Sequence, residues 1–396
     1  MNAASATSVH SAGPSPSVLL EWNLLLVSSF ADADEIEHAR VRDLLARPVD
    51  WDTLLRLAGN HGTSSLVYQN LLRASGVPAT VLESLRQRHE TNIRKSLFLA
   101  SELMRVLECT DALGVEAIPY KGVVLSEVYY GDIAMRQSGD LDIFVRAGDL
   151  AKIKRAICDL GYTPRASMPE EAENDYIASG YECTFDSPAG RNLLELQWAL
   201  QPRYYAVDFD MEGLFVRAVR VTVAGRSVKT PSHEDLLLVL CVHAAKHVWR
   251  KLIWLCDIAQ ILKRERLDWT TVQNRAREFG IERILHITLL LMNKFRLGAL
   301  PERSEHAVIA DRAAVGLADE IAARMSQGVF YDEQQVPYFR LMMRLRERRA
   351  DQLRFLARLT FTPGPGEWEA VRLPKTLFPL YRVVRLGRLA SRLARG

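Results

Sequence analysis

The sequence predicts an α/β (α+β) protein in which a core with a small mixed sheet is flanked by N- and C-terminal helical regions. Three observations lead to this fold class. Apolar residues recur at helical spacing over residues 19–113. Residues 114–230 then alternate short strand-like apolar runs with helix-length segments, in the order β-α-β-α-β-β. Helical periodicity returns from Leu236 onward.

These patterns divide the chain into four regions. Residues 1–18 are rich in Ser, Ala, Pro and Gly and predict a disordered tail, because they cannot bury enough apolar surface to order themselves. Residues 19–113 form an N-terminal helical region and residues 114–230 form the α/β core. Residues 231–396 form a C-terminal helical region that ends in a basic tail.

Within the core, glycine and turn residues mark where elements end. Gly114 is expected to end the long N-terminal helical stretch. Ser232 is expected to cap a helix, with Asp235 three residues later completing a capping-box-like pattern. We predict strands at 115–120, 141–145, 181–186 and 193–200, helices at 123–130 and 150–160, and a hairpin at 220–229.

Composition narrows the function classes. The chain has 396 residues, 48% of them hydrophobic and 25% charged, which is enough for two or three domains with ample cores. A net charge of +3, with no basic stripe interleaved with aromatic residues beside the core, argues against a long nucleic acid as a partner. No run of 18 apolar residues and no secretory signal pattern is present, so we expect a cytoplasmic protein. The scattered cysteines, without a Cys-x-x-Cys pair, are expected to be buried thiols in a reducing compartment: Cys109, Cys158, Cys183, Cys241 and Cys256.

The most informative motif is Asp140-Leu141-Asp142, at the start of an apolar strand-like run. Strand side chains alternate with period two, so the two carboxylates point to the same side. That arrangement suits a divalent cation such as Mg²⁺ (or Mn²⁺). A charged strand end facing water is the alternative, and it would be the better interpretation of an isolated Asp-x-Asp.

Lys121-Gly122, 18 residues before Asp140, strengthens the metal interpretation. Glycine allows close approach of the backbone to a ligand, and the N–H groups of a turn entering a helix are donors to anions. A phosphate cradle followed by a carboxylate pair is what nucleotidyl transfer requires. Glu195 is a lone acid in an apolar strand-like run and would complete the metal site from a neighbouring strand, although it also fits an edge-strand acid.

His243 and His247 lie four residues apart on a predicted helix, hence on one face, with Lys246 beside them. No His-Glu-x-x-His pattern is present, so a zinc site is disfavoured. The helix is expected to turn these three side chains toward the nucleotide or acceptor cleft. Histidines satisfied within the core are an equally good interpretation. Asp257, nearby in an apolar run, is expected to orient one of these groups.

The basic tail at 372–395 carries seven Lys or Arg residues, no acid, and interleaved apolar residues. Such a segment suits peripheral contact, through residues 372–396, with an anionic membrane surface or with a polyanion. A solvated helical face docked on the body of the protein is the more usual explanation, and we favour it.

Taken together, these residues resemble the uncharacterised nucleotidyltransferase family of the polymerase-β-like superfamily over roughly residues 50–270, with a weaker echo in Leu373-Pro374 and Tyr381-Arg382. No single piece is specific, but their order and spacing are. The matching pieces are His61-Gly62 with Leu66, Lys121-Gly122, Arg136 with Gly139-Asp140-Leu141-Asp142, Leu160-Gly161-Tyr162, Leu194-Glu195-Leu196-Gln197-Trp198, Pro231-Ser232-His233-Glu234-Asp235, His243-Ala244-Ala245-Lys246-His247-Val248-Trp249 and Trp254-Leu255-Cys256-Asp257.

The resemblance implies a nucleotidyltransferase core flanked by helices and transfer of a nucleoside monophosphate from an NTP, with Mg²⁺, to an acceptor hydroxyl or phosphate. Two departures stand out. Gln197 replaces the family's usual His, which puts a role for that position in metal or acceptor binding in doubt. Lys121-Gly122 replaces the superfamily's commoner Gly-Ser.

Under this hypothesis the carboxylates are the metal ligands and catalytic groups, and Glu195 also accepts the acceptor's proton. Lys121 neutralises the β- and γ-phosphates, Gly122 offers its N–H, and Arg136 stabilises charge on the transferring group, unless Arg136 is a surface charge. The predicted catalytic and metal-binding residues are Asp140, Asp142 and Glu195, and the predicted nucleotide-binding residues are Lys121, Gly122, Arg136, Gly139, His243, Lys246 and His247.

The leading prediction is thus a Mg²⁺-dependent nucleotidyltransferase acting on a small molecule, a carrier or a protein. A non-catalytic nucleotide-binding partner of a biosynthetic enzyme is one alternative, and retention of all three carboxylates argues against it. A phosphotransferase on the same fold is another. The sequence does not reveal the acceptor or the preferred NTP.

Overall fold

The computed structural model describes residues 16–166, 176–178, 180–188, 190, 192–333, 335–362, 371, 373, 377 and 380–393. Most of the predicted N-terminal tail and much of the basic C-terminal tail lie outside these ranges. Among the helices in the described ranges, none combines the length and the apolar character needed to cross a membrane.

In the part of the chain that the structure describes, five helices precede the sheet. Asp34 caps α2 through a capping box with Glu37, and Asp50 caps α3. The long α5 ends where Gly114 adopts φ +64°, as its sequence predicts. The helices are α1 (Pro16–Val27), α2 (Glu35–Leu45), α3 (Trp51–His61), α4 (Ser64–Leu72) and α5 (Ala79–Ala112).

The core is a five-stranded mixed sheet of order β1-β2-β5-β4-β3. The central pair, β2 and β5, is parallel, and the other neighbouring pairs are antiparallel. The α/β core with a small mixed sheet and helical flanks is therefore confirmed. Its elements are β1 (Ala117–Pro119), α6 (Val123–Leu125), β2 (Asp140–Val145), α7 (Leu150–Asp159), β3 (Thr163–Pro164), β4 (Glu182–Asp186) and β5 (Leu193–Gln197).

The two faces of the sheet have opposite character. Along β2, Leu141, Ile143 and Val145 are buried on one face, where they join a hydrophobic cluster with α5 and α7. Asp140 and Asp142 alternate with them and lie on the other face. Because alternation gives one face of β2 entirely to the core, its carboxylates are directed toward the helices on the opposite side.

Lys121 and Gly122 form the turn between β1 and α6. Gly122 has φ +56° and ψ −120°, a conformation that L-residues with side chains rarely adopt, and it sits at the N-terminus of α6. The helix predicted at 123–130 consists of α6 followed by a π-helical turn, Ser126–Tyr130. The turn brings the backbone close to Ser138 and Asp140, at the start of β2.

The remaining helices and a two-stranded hairpin follow the sheet along the chain. The predicted hairpin is present, and the Ser232 side chain accepts a hydrogen bond from the Asp235 N–H at 3.3 Å. The elements are α8 (Met211–Arg217), β6 (Val219–Val223), β7 (Arg226–Thr230), α9 (His233–Lys246), α10 (Leu252–Arg264), α11 (Trp269–Glu278), α12 (Glu282–Lys294), α13 (Glu302–Ala310), α14 (Arg312–Gln327), α15 (Val336–Arg344), α16 (Arg349–Phe361) and α17 (Tyr381–Leu393).

The basic tail contributes α17, which packs on α16. Tyr381 is buried, and Arg385 donates from Nε to the Leu359 carbonyl at 2.6 Å. This packing agrees with the docked-helix interpretation. Contact with a membrane through residues 372–396 stays a prediction.

Three expectations from the sequence were wrong in detail. Helix α1 begins at Pro16, inside the predicted tail. Strand β3 was missed, because two residues that include a proline carry no strand pattern and are held only by pairing with β4. Of the five cysteines expected to be buried, only Cys241 and Cys256 are, while Cys109 and Cys183 are half-buried. Cys158 is exposed, because α7 turns Leu150, Ile153 and Ile157 inward instead. All five cysteines are free thiols.

His61 links the N-terminal helices to α10. It is 1% exposed, and its Nδ1 accepts a hydrogen bond from the Leu252 N–H at 3.2 Å, which requires a neutral ring protonated on Nε2. Burial, assisted by the positive charge of Lys251, lowers the pKa of His61 to about 4. The two helical regions are thus joined through an uncharged imidazole.

We predict that Gly122→Ala lowers the free energy of unfolding by about 1–3 kcal/mol, measured by urea denaturation. A Cβ at this position would lie 3.0 Å from Ser138 Oγ and 3.3 Å from the Asp140 carbonyl oxygen, in a backbone conformation that alanine disfavours. Gly148→Ala is the control, because a Cβ there meets nothing within 4 Å and needs no left-handed backbone. Equal stability of the two variants would contradict the prediction.

We also predict that His61→Asn makes stability less sensitive to acid. The pKa of His61 is lower in the folded state than in the unfolded state, so its stabilisation is complete above about pH 6.5 and is lost as the pH falls toward 4. Between pH 7 and pH 4.5 the wild-type protein should lose about 2–3 kcal/mol more than the variant, whose amide oxygen still accepts from Leu252. Parallel pH profiles of the two proteins would refute this assignment.

Candidate active site

The three predicted carboxylates meet on the polar face of the sheet. Asp142 on β2 and Glu195 on β5 are direct partners in the parallel ladder. In-register neighbours on adjacent strands project to the same face with their strands about 4.8 Å apart. Asp140, two residues before Asp142, lies on that face as well. Residues more than fifty positions apart in the chain are therefore neighbours in space.

Lys121 compensates this negative charge. Its Nζ lies 2.5 Å from Asp142 Oδ1, and both side chains are nearly fully buried. Burial alone would lower the pKa of Lys121, but Asp142 and Asp140 outweigh it and raise that pKa. Burial, with the like charges of Asp140 and Glu195, raises the pKa of Asp142 to about 7 against the opposing effect of Lys121. The second oxygen of Asp142, Oδ2, is buried without a hydrogen-bond partner.

Gln197 connects the carboxylates to one another. Its Nε2 lies 3.0 Å from Glu195 Oε2, 3.3 Å from Glu182 Oε2 and 3.4 Å from Asp142 Oδ1. Its Oε1 accepts a hydrogen bond from the Tyr120 hydroxyl at 2.6 Å, and Tyr120 stacks on Phe144. The position that departs from the family pattern is therefore a buried donor to the acidic cluster, a role that an imidazole would fill differently because it has only one N–H when neutral.

Glu182 is a fourth carboxylate at the site, and the sequence analysis did not identify it. It lies on β4 opposite Gln197 and accepts a short hydrogen bond from the Tyr181 hydroxyl. Tyr181 in turn accepts from Lys246 Nζ at 2.7 Å. Burial and the charge of Glu182 raise the pKa of Glu195. Burial lowers the pKa of Lys246, although Glu182 opposes that effect.

Arg136 is buried, not a surface charge, and it ties the core to α10. Its Nε lies 2.9 Å and 3.0 Å from the two carboxylate oxygens of Asp257, and the Tyr130 hydroxyl donates to the same carboxylate at 2.8 Å. Asp257 and Tyr130 raise the pKa of Arg136, although burial alone would lower it. Asp257 was expected to orient His243, Lys246 or His247, but it binds Arg136 and Tyr130 instead.

His243, in the last turn of α9, and His247, directly after its last residue, lie on the same side, as predicted, with ring centroids 5.1 Å apart. Both rings pack on Trp254, and His247 Nδ1 lies 2.8 Å from Glu333 Oε1. Burial lowers the pKa of both histidines, most strongly that of His243. Both histidines therefore line the cleft, and both also pack against neighbouring side chains within it.

These groups line one cleft of about 630 Å³ between the sheet and the helices. Nine of the ten predicted site residues line it. The exception is Gly122, which lies beneath it against Ser138. The lining residues that the sequence analysis missed include two tyrosines, one carboxylate and several cations from the helical flanks: Tyr120, Tyr181, Glu182, Arg88, Lys95, Arg250 and Lys251. Arg250 and Lys251 directly follow the motif that ends at Trp249, and this adjacency was the signal available for them.

The donor chemistry of the site fits a hard divalent cation. Asp140, Asp142 and Glu195 supply carboxylate oxygens, the ligands that Mg²⁺ prefers, and Asp142 Oδ2 is an orphaned buried acceptor. These three carboxylates are not close enough to one another to coordinate a single ion. Within the described part of the chain, no group of three His, Cys, Asp or Glu side chains is close enough to hold a metal ion. Lys121 and Gln197 hold Asp142 and Glu195 by hydrogen bonds instead.

The comparison with protein families agrees with the resemblance seen in the sequence. The family model described as "Uncharacterised nucleotidyltransferase" matches residues 47–296, more than half of the chain. No curated protein matches significantly. Among solved structures, that of the antibiotic-resistance factor ANT(2'')-Ia is similar at 13% identity with a TM-score of 0.29, covering 54% of this chain and 96% of that one.

We predict that Asp257→Asn lowers the free energy of unfolding by about 3–5 kcal/mol, because it leaves the buried Arg136 guanidinium without a counter-charge. Chemical denaturation measures this. Asp32→Asn is the matched control, since Asp32 pairs with Lys263 on the surface at 3.5 Å, and its loss should cost less than about 1 kcal/mol. A similar small cost for both variants would show that Arg136 does not depend on Asp257.

Proposed function

This chain belongs to the uncharacterised nucleotidyltransferase family, and from that premise we propose that it is a Mg²⁺-dependent enzyme that moves a nucleoside monophosphate from an NTP to a hydroxyl or phosphate. The acceptor is a small molecule, a carrier or a protein, not a long nucleic acid. The cytoplasm, where NTP and Mg²⁺ are plentiful, is the proposed location. The family match gives only the general reaction type. The details of the proposal are inferred from the residues of the site.

The observation that supports the proposal most is the convergence of Asp140, Asp142 and Glu195 on one face of two adjacent strands. Burying like charges together is costly unless they are used or compensated. Here they line a cleft with space for a nucleotide. An arrangement that raises the pKa of two of its carboxylates is typical of a functional site.

In the proposed reaction the acceptor oxygen attacks the α-phosphorus, and the bond to the bridging oxygen of the β-phosphate breaks. Asp140, Asp142 and Glu195 would hold Mg²⁺, which when bound stabilises the attacking and leaving oxygens. Glu195, whose raised pKa makes it a better base than an ordinary carboxylate, takes the acceptor's proton. Gln197 holds Glu195 in position through its amide.

We expect Asp140→Asn, Asp142→Asn and Glu195→Gln each to lower the transfer rate by at least about a hundredfold. Each variant is incubated with Mg²⁺ and with α-labelled or γ-labelled NTP, and labelled product is separated from NTP. Label from the α-position should enter the acceptor fraction, and label from the γ-position should leave as pyrophosphate. Asp159→Asn, an exposed acid on α7 outside the cleft, is the control and should keep full activity.

Other outcomes would decide against the proposal. Transfer of the γ-label to an acceptor would identify a phosphotransferase. Absence of any NTP- or Mg²⁺-dependent thermal shift in the wild-type protein would favour a non-catalytic partner. Full activity of either aspartate variant, with intact folding by circular dichroism, would remove the metal assignment.

A further inference from the structure

We propose that Lys95, Arg250 and Lys251 form a clamp for the β- and γ-phosphates, and hence for the departing pyrophosphate, supplied by the helical flanks and not by the α/β core. The inference rests on the proposed function and names the part of the same site that binds the leaving group. None of the three residues was identified from the sequence as a ligand-binding group.

Two cations of the site are already paired with carboxylates of the protein. The two cations expected to meet the nucleotide, Lys121 and Arg136, form buried ion pairs with Asp142 and Asp257. Their charge is largely compensated before any ligand arrives. A triphosphate brings about four negative charges, and these need cations that are still available.

Lys95, Arg250 and Lys251 are such cations. All three line the cleft and are exposed in it. In the part of the chain that the structure describes, none of their side chains forms a hydrogen bond or an ion pair, and the ammonium of Lys251 lies 5.8 Å from the centroid of the Trp254 ring. They are therefore free to bind an anion from solution.

Their position places them at one end of the carboxylate site. The Nζ of Lys95 lies 3.6 Å from where a Cβ on Gly139 would stand, directly beside Asp140. Burial and the positive charges of Arg250, Arg136 and Lys95 lower the pKa of Lys251, while Asp140 opposes this effect. The cations thus gather near Asp140, whereas Glu182 and Lys246 lie toward the β4 side of the sheet.

The turn that carries Arg250 and Lys251 is strained. Val248 and Trp249, between α9 and α10, have φ values of 51° and 48°, although the left-handed region is strongly disfavoured for a β-branched residue. The turn is held by Trp249, which is fully buried and donates from Nε1 to Thr288 Oγ1 at 3.0 Å. Backbone strain that is maintained by packing beside a cleft is typical of a segment that positions functional residues.

This placement suits the chemistry of the leaving group. When the acceptor oxygen bonds to the α-phosphorus and its proton passes to Glu195, the electron pair of the broken bond remains on the bridging oxygen of pyrophosphate. Cations at that end stabilise the charge that develops there. The acceptor then approaches from the opposite end, where Glu195 and Glu182 lie.

The test measures binding by isothermal titration calorimetry with three probes: Mg²⁺-pyrophosphate, Mg²⁺-α,β-methylene-ATP and AMP. We expect Lys95→Gln, Arg250→Gln and Lys251→Gln each to weaken pyrophosphate and triphosphate binding by about tenfold, with AMP binding unchanged. Arg86→Gln, which removes a surface cation of α5 that pairs with Glu83 and Glu90, and Lys263→Gln, on the surface of α10, are the matched controls and should bind like the wild type.

Unchanged pyrophosphate affinity in all three variants, or an equal loss of AMP binding, would overturn the clamp, as would a wild-type protein that does not bind pyrophosphate. The clamp and the proposed function fail separately. Nucleotidyl transfer with normal pyrophosphate binding in the variants removes only the clamp. Clamp-dependent pyrophosphate binding without transfer of the α-label removes only the transferase proposal.

Discussion

The rest of the structure depends on one electrostatic constraint: four carboxylates share one face of a small sheet and have to be kept there. Lys121 pairs with Asp142, and Gln197 donates toward Asp142, Glu182 and Glu195. Without Lys121, burial and the neighbouring negative charges would raise the pKa of Asp142 and of Glu195 further. The pKa of Asp142 is raised nonetheless, because burial and the charges of Asp140 and Glu195 outweigh the effect of Lys121.

The helical flanks complete the site as well as covering it. The buried ion pair of Arg136 and Asp257 joins the segment that leads into β2 to α10. The hydrogen bond to His61 joins α3 to the same helix. Between α9 and α10, the strained turn anchored by Trp249 directs Arg250 and Lys251 to the cleft. The core thus contributes the acids, and the flanks contribute cations that form no ion pair in the described part of the chain. Under the proposed function, the acids would bind the metal ion and these cations would bind the phosphates.

Several residues of the site were predictable because their signals are local. Asp140 and Asp142 sit at a strand start with period-two spacing, and His243 and His247 sit one helical turn apart, so their common faces follow from backbone geometry. Glu182, Tyr181 and Tyr120 carried no such signal. These residues reach the site through the antiparallel pairing of β4 with β5 and the placement of β1. The register between distant strands cannot be predicted from either segment alone.

The sequence by itself determined the alternation of helices and strands, the polar face of β2 and three of the four carboxylates, Asp140, Asp142 and Glu195, because periodicity and residue chemistry act over a few neighbours. Only the tertiary structure decided which charges meet. It paired Lys121 with Asp142 and Arg136 with Asp257, and it left Lys95, Arg250 and Lys251 facing the cleft. The physical reason is that Coulomb and hydrogen-bond energies depend on distances across the fold and on burial, and neither quantity exists until the chain has packed.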